Sequence, residues 1–94
     1  MMNISNARTE LERLRQNGVT PCVFIIEPQR DTAKTDDQTW FVRSTPEDAQ
    51  LWALLAAEGS ERADAFLLED FGTLADARIA AAALNPTMPI KESV

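Results

Sequence analysis

The amino-acid sequence predicts a small single-domain α+β protein, an antiparallel β-hairpin packed against two to three helices. Three observations carry this. The chain has 94 residues, too few for a second core. Two short apolar runs, rich in branched and aromatic residues, are set off by turn and loop residues in the manner of strands. Other stretches repeat apolar residues at three- and four-residue spacing, as helices do. With 45% apolar and 26% charged residues, the composition is that of a globular chain rather than a disordered one.

Ile4, Ala7, Leu11 and Leu14 share one helix face, which predicts a first helix from about Asn6 to Gln16. Ser5 is the expected N-cap, and Asn17-Gly18 the stop, with glycine in the left-handed position. Pro21 to Pro28 reads as a buried strand whose two prolines limit its length. Gln29 to Gln38 is polar throughout and reads as a mobile loop. Thr39 to Arg43 is a second strand, paired with the first as an antiparallel hairpin.

Thr45-Pro46-Glu47-Asp48 is the strongest local helix signal in the chain. It offers a cap, a proline at the first helical position and two acids at the positive helix end. The expected helix continues through Leu51, Trp52, Leu54 and Leu55 and stops near Gly59. Residues 63–71 are open between helix and strand. Ala63, Phe66, Leu67 and Phe71 have helical spacing, but a third strand would complete a sheet that two strands alone leave marginal. A last helix runs from Leu74 to Leu84 and ends at Asn85-Pro86, and residues 86–94 read as a frayed tail. Thr73-Leu74-Ala75-Asp76-Ala77 repeats the T-x-x-D-A pattern of Thr45 to Ala49. Two similar helix caps and a duplicated strand-helix unit both explain that repeat.

The charge is uneven. Residues 1–43 balance six acids (Glu10, Glu12, Glu27, Asp31, Asp36, Asp37) with six bases (Arg8, Arg13, Arg15, Arg30, Lys34, Arg43). Residues 44–84 set eight acids (Glu47, Asp48, Glu58, Glu61, Asp64, Glu69, Asp70, Asp76) against Arg62 and Arg78. Lys91 and Glu92 cancel, so the net charge of −6 belongs to the second half. That balance opposes direct nucleic-acid binding, which needs cations to neutralise phosphates.

The recognisable catalytic patterns are missing from the sequence. It has no histidine and a single cysteine, so neither a Cys–His pair nor a histidine base can form. No CxxC pair, glycine-rich phosphate loop or GxSxG occurs. Asp31, Asp36 and Asp37 do not match a calcium-loop spacing. The sequence therefore predicts no enzyme, no cofactor and no metal site. Cys22, in an apolar stretch, reads as a buried structural thiol. No apolar run approaches a membrane span, and the polar N-terminus does not read as a signal peptide. A cytoplasmic location is the expectation.

Glu58, Glu61, Asp64, Glu69 and Asp70 are the candidate partner-binding residues, a negative face able to dock on a basic protein surface. The competing account makes them solubilising. Trp40 and Trp52 are core candidates, with hot-spot anchoring as the other use of tryptophan. The alanine-rich run Arg78 to Leu84 suits close packing, either on the domain's own sheet or in a dimer seam.

Asp70-Phe71-Gly72-Thr73, followed by Ala75-Asp76-Ala77 and an alanine-rich helix, resembles small orphan proteins of bacteriophages and mobile elements. The short, acidic profile is similar to phage-encoded inhibitors such as anti-CRISPR and anti-restriction proteins. That class shares no fold or motif, so the resemblance implies a function class and no residue roles. The expected function is a non-catalytic protein-binding domain that docks its acidic face on a basic, nucleic-acid-binding surface of a host protein. The alternative is a structural or accessory module forming a homodimer through the alanine-rich helix.

Overall fold

The computed structural model describes residues 4–31, 41–59 and 65–92. In order, its elements are helix α1 (Ser5–Gln16), strand β1 (Val23–Asp31), strand β2 (Phe41–Arg43), a 3-10 turn (Pro46–Asp48), strand β3 (Leu51–Ala57), strand β4 (Phe66–Phe71), helix α2 (Leu74–Leu84) and strand β5 (Ile90–Glu92). The α+β class is as the sequence predicts, but the sheet is larger. Its strands run β2-β1-β3-β4, and β5 joins β1 in parallel.

α1 forms where its apolar face was expected. Ala7 and Leu11 are buried, and Ile4 and Leu14 pack against the same core. Ser5 belongs to the first turn instead of capping it: Ile4 occupies the cap position, with no side-chain bond. At the far end Gly18 has φ 86°. Its N–H donates to Arg15 O at 3.1 Å, and the Val19 N–H donates to Leu14 O at 2.9 Å. This pair of bonds is the glycine-ended helix stop known as the Schellman motif.

β1 and β2 pair antiparallel, Gln29 opposite Arg43 and Asp31 opposite Phe41, as the hairpin reading requires. β1 nevertheless runs through Pro28 and uses Gln29 to Asp31, three residues assigned above to the loop. A proline fits because its carbonyl accepts from the Ser44 N–H at 2.8 Å. The side of Pro28 that lacks a donor thus faces away from β3, where β5 has ended and β2 is beginning. The rest of the predicted loop, 32–38, and Thr39 and Trp40 of the predicted second strand lie outside the described residues.

The helix expected from Thr45 to Gly59 is not there. Pro46–Asp48 makes one 3-10 turn, and Leu51–Ala57 is the central strand β3, paired with β1 on one side and β4 on the other. Thr45 makes no capping bond to the backbone; its hydroxyl donates to Asp48 Oδ2 at 3.3 Å. All six residues from Trp52 to Ala57 are buried. A strand covered on both faces reads as a continuous apolar run, which periodicity cannot tell from a buried helix.

The ambiguous stretch 63–71 supplies β4. Its pairing with β3 shifts register between Leu54 and Leu55: Glu69 faces Leu54, Leu67 faces Leu55, and Leu68 is the extra residue of a bulge. α2 follows over the expected residues, and Thr73 Oγ1 accepts from the Asp76 N–H at 3.1 Å. Of the two T-x-x-D-A patterns, only the second caps an α-helix.

Both helices lie on one sheet face. Phe24, Ile26, Trp52, Leu54, Ala56, Leu68 and Phe71 meet Ala7 and Leu11 of α1 and Ala77, Ala80 and Ala81 of α2 in a single core. Ile25, Ala53, Leu55 and Ala57 form a smaller cluster on the opposite face. Glu27, on that second face, is almost fully buried and accepts from Gln29 Nε2 at 3.1 Å.

The tail is ordered where fraying was expected. The Phe24 N–H donates to Pro89 O at 2.9 Å, and Ile90 to Glu92 then pair with Phe24 to Ile26. Arg78 of α2 grips Glu92 with two bonds, Nε to Oε2 at 2.6 Å and Nη2 to Oε1 at 2.7 Å. That hydrogen-bonded pair holds the Glu92 carboxyl below the usual glutamate range.

Candidate functional site: the acidic edge strand

Of the acidic residues singled out in the sequence, Glu69 and Asp70 lie on β4, which ends the sheet among the described residues. Glu58 follows β3 and is exposed. It lies four residues beyond Leu54, the partner of Glu69, roughly 13 Å along the strand. Glu61 and Asp64 fall outside the described residues.

Glu69 and Asp70 are consecutive, so the strand's alternation turns their side chains to opposite faces. Glu69 pairs with Leu54, which belongs to the helix-covered core. Asp70 pairs with Ala53, which belongs to the second cluster. The five acids of the sequence reading therefore do not share one flat face. The two on β4 straddle the edge.

Both carboxylates lack compensation. One oxygen of Glu69, Oε2, is buried with no hydrogen-bond partner. Partial burial raises the Asp70 carboxyl above its ordinary value. Among the described residues no cation is paired with either; Arg13, Arg15 and Arg78 pair instead with Glu10, Glu12 and Glu92. β4 also carries large apolar side chains in solvent, Phe66 at 44% exposure and Leu67 at 51%. Leu67 and Asp70 lie on the same face, opposite Leu55 and Ala53, because the bulge at Leu68 absorbs the odd residue between them. Sequence reasoning left Phe66 and Leu67 open between a helix and a third strand. Their edge position appears only once β3 is known to be a strand.

Other candidates resolve differently. Cys22 is exposed, correcting the buried-thiol expectation. It precedes β1 instead of entering it, and its Sγ lies 3.5 Å from Thr20 O. Trp52 is buried in the main core. Ala77, Ala80 and Ala81 are fully buried in the core shared with the sheet, so the close-packing stripe of α2 is used within the chain. Ile79, at 57% exposure, points outward.

Among the described residues there is no cavity, and no three His, Cys, Asp or Glu residues could together hold a metal ion. Among the same residues no helix is long and apolar enough to cross a membrane. In comparisons with protein-family models, curated proteins and solved structures, the chain matches none.

Proposed function

We propose that the protein is a non-catalytic binding domain that docks its acidic edge on a basic surface of a host protein, of the kind that holds nucleic acid. The observation that carries this is the pair of uncompensated carboxylates on β4, Glu69 and Asp70. Carboxylates left unpaired beside an apolar strand, one of them with a buried oxygen, are stabilised when a partner brings cations to them. The acidic second half adds the long-range field that steers such a partner. An inhibitor of phage or mobile-element type, as the resemblance implies, would act by occupying that surface.

The test is a double charge reversal at two exposed positions, Glu58→Lys with Asp70→Lys. Partners captured from the lysate of the native host are identified with wild type and variant, and association rates are measured against salt. A basic protein that binds wild type, is lost on reversal and associates more slowly as salt rises supports the reading. Equal capture by both proteins, or association indifferent to salt, overturns it.

A further inference from the structure

Among the described residues β4 has β3 on one side and no strand on the other, which leaves main-chain donors and acceptors directed outward along its length. Among the described residues none of the backbone bonds outside the ladders engages β4. Phe66 and Leu67 stay substantially in solvent beside that open edge. Glu69 and Asp70 lie on opposite faces of the same strand, and among the described residues no cation is paired with either. A globular surface pressed on one face reaches only one of these two carboxylates. A strand laid along the edge reaches both, because its own consecutive side chains also alternate between faces.

We propose that the outer edge of β4 takes up an extended segment of the partner as an added strand, with two consecutive basic residues beside Glu69 and Asp70 and two consecutive apolar residues beside Phe66 and Leu67. This rests on the docking function proposed above and names its mode: main-chain bonds supply affinity, and the four side chains supply selectivity. A second copy of the chain is the wrong occupant. It carries the same net charge of −6, and its β4 would bring acids instead of cations to the edge.

The probe is a seven-residue peptide with two arginines and two valines, one threonine between the pairs and one at each end, made in both sequence directions. Each is compared with two versions N-methylated on alternate residues, one blocking the amides of one edge and one those of the other. All three carry identical charge. Strand addition requires that one methylated version bind about tenfold or more weaker while the other binds like the parent, since only one edge of the peptide meets β4. Hydrogen exchange at the Phe66–Phe71 amides should slow when the parent peptide is bound. Equal binding by parent and both methylated versions overturns strand addition and leaves docking by the acids standing. Loss of binding in the Asp70→Lys variant then separates that electrostatic docking from no recognition at all. Absence of binding by the parent in either direction overturns strand addition, as does a wild-type dimer in light scattering that is broken by Leu67→Ser.

Discussion

Gly18 is the one described residue with a positive φ, and nothing lies within 4 Å of where its Cβ would stand. An alanine there meets no neighbour and is opposed only by its own backbone. Gly18→Ala is expected to cost about 1–2 kcal/mol in urea unfolding, and Gly18→Asn less, because asparagine tolerates that region. Gly59→Ala, an exposed site with ordinary φ, should stay within about 0.5 kcal/mol. Asp70 makes a prediction of a different kind. Its folded carboxyl titrates above its unfolded one because burial penalises the charge, so the folded state holds the proton more tightly. Stability linked to Asp70 is therefore present below the unfolded value and lost as pH rises through the raised one. Asp70→Asn should be more stable than wild type at neutral pH, with the difference vanishing in acid, as read by thermal unfolding across that range. Single residues were unevenly legible. Gly18 announced its conformation through chemistry that belongs to it alone. The environments of Cys22, Phe66 and Leu67 depend on distant strands, and no local pattern encodes them.

At the scale of elements, the helices were readable and the central strand was not. α1 exposes one side to water, so its apolar residues recur with the helical period, whereas α2 was marked by its Thr73 cap and its Asn85-Pro86 stop. β3 buries both faces and has no period to read, and Leu51-Trp52-Ala53-Leu54-Leu55-Ala56-Ala57 is rich in good helix formers. Pairing with two neighbours overrides that local preference. The Thr45 cap signal was spent on a single 3-10 turn for the same reason: the chain must enter the sheet at Leu51. The two T-x-x-D-A segments should therefore respond differently. Thr73→Ala removes the bond to the Asp76 N–H and should cost about 1 kcal/mol. Thr45→Ala, with no backbone bond to lose, should stay within about 0.5 kcal/mol. α2 supplies a second contrast. Ala81→Leu adds volume where no space remains and should cost about 1–3 kcal/mol, whereas Ala82→Leu, on the exposed side, should be close to neutral. Equal effects at 81 and 82 in denaturant titrations would place the helix in the wrong rotation.

For the whole molecule, one flank of β1 is covered by two short strands far apart in the chain, β5 beside Phe24 to Ile26 and β2 beside Gln29 to Asp31. β5 has three residues and is secured to α2 by the Arg78–Glu92 pair. Glu92 titrates low in the fold, so its contribution is present above the unfolded value and lost as pH falls through the lowered one. Glu92→Gln should be less stable than wild type at neutral pH and indistinguishable from it in strong acid. Truncation after Pro89 should lower the unfolding midpoint and, by baring the β1 edge, promote association that light scattering detects. None of this was visible in a tail whose Lys91 and Glu92 simply cancel in a charge count. A parallel pairing across more than sixty residues leaves no local trace. The uneven charge of the chain, by contrast, was plain in the sequence, and only the sheet topology turned it into an edge with two sides.

Pro28 gives that flank a further property, which concerns how the sheet finds its alignment. The ring lacks a donor where β1 passes from β5 to β2, and its carbonyl serves Ser44. Were β1 to slide by one residue, the missing donor would fall in the ladder to β3, and every buried side chain would change face. Were it to slide by two, the ring would meet β5 or β2 where a donor is needed. Each wrong alignment thus forfeits a bond that the right one keeps. Pro28 acts as a proofreading device, indifferent to the finished structure and selective among its competitors. Pro28→Ala should accordingly leave the native sheet intact while slowing its formation through misaligned pairings, seen as added slow phases in stopped-flow refolding.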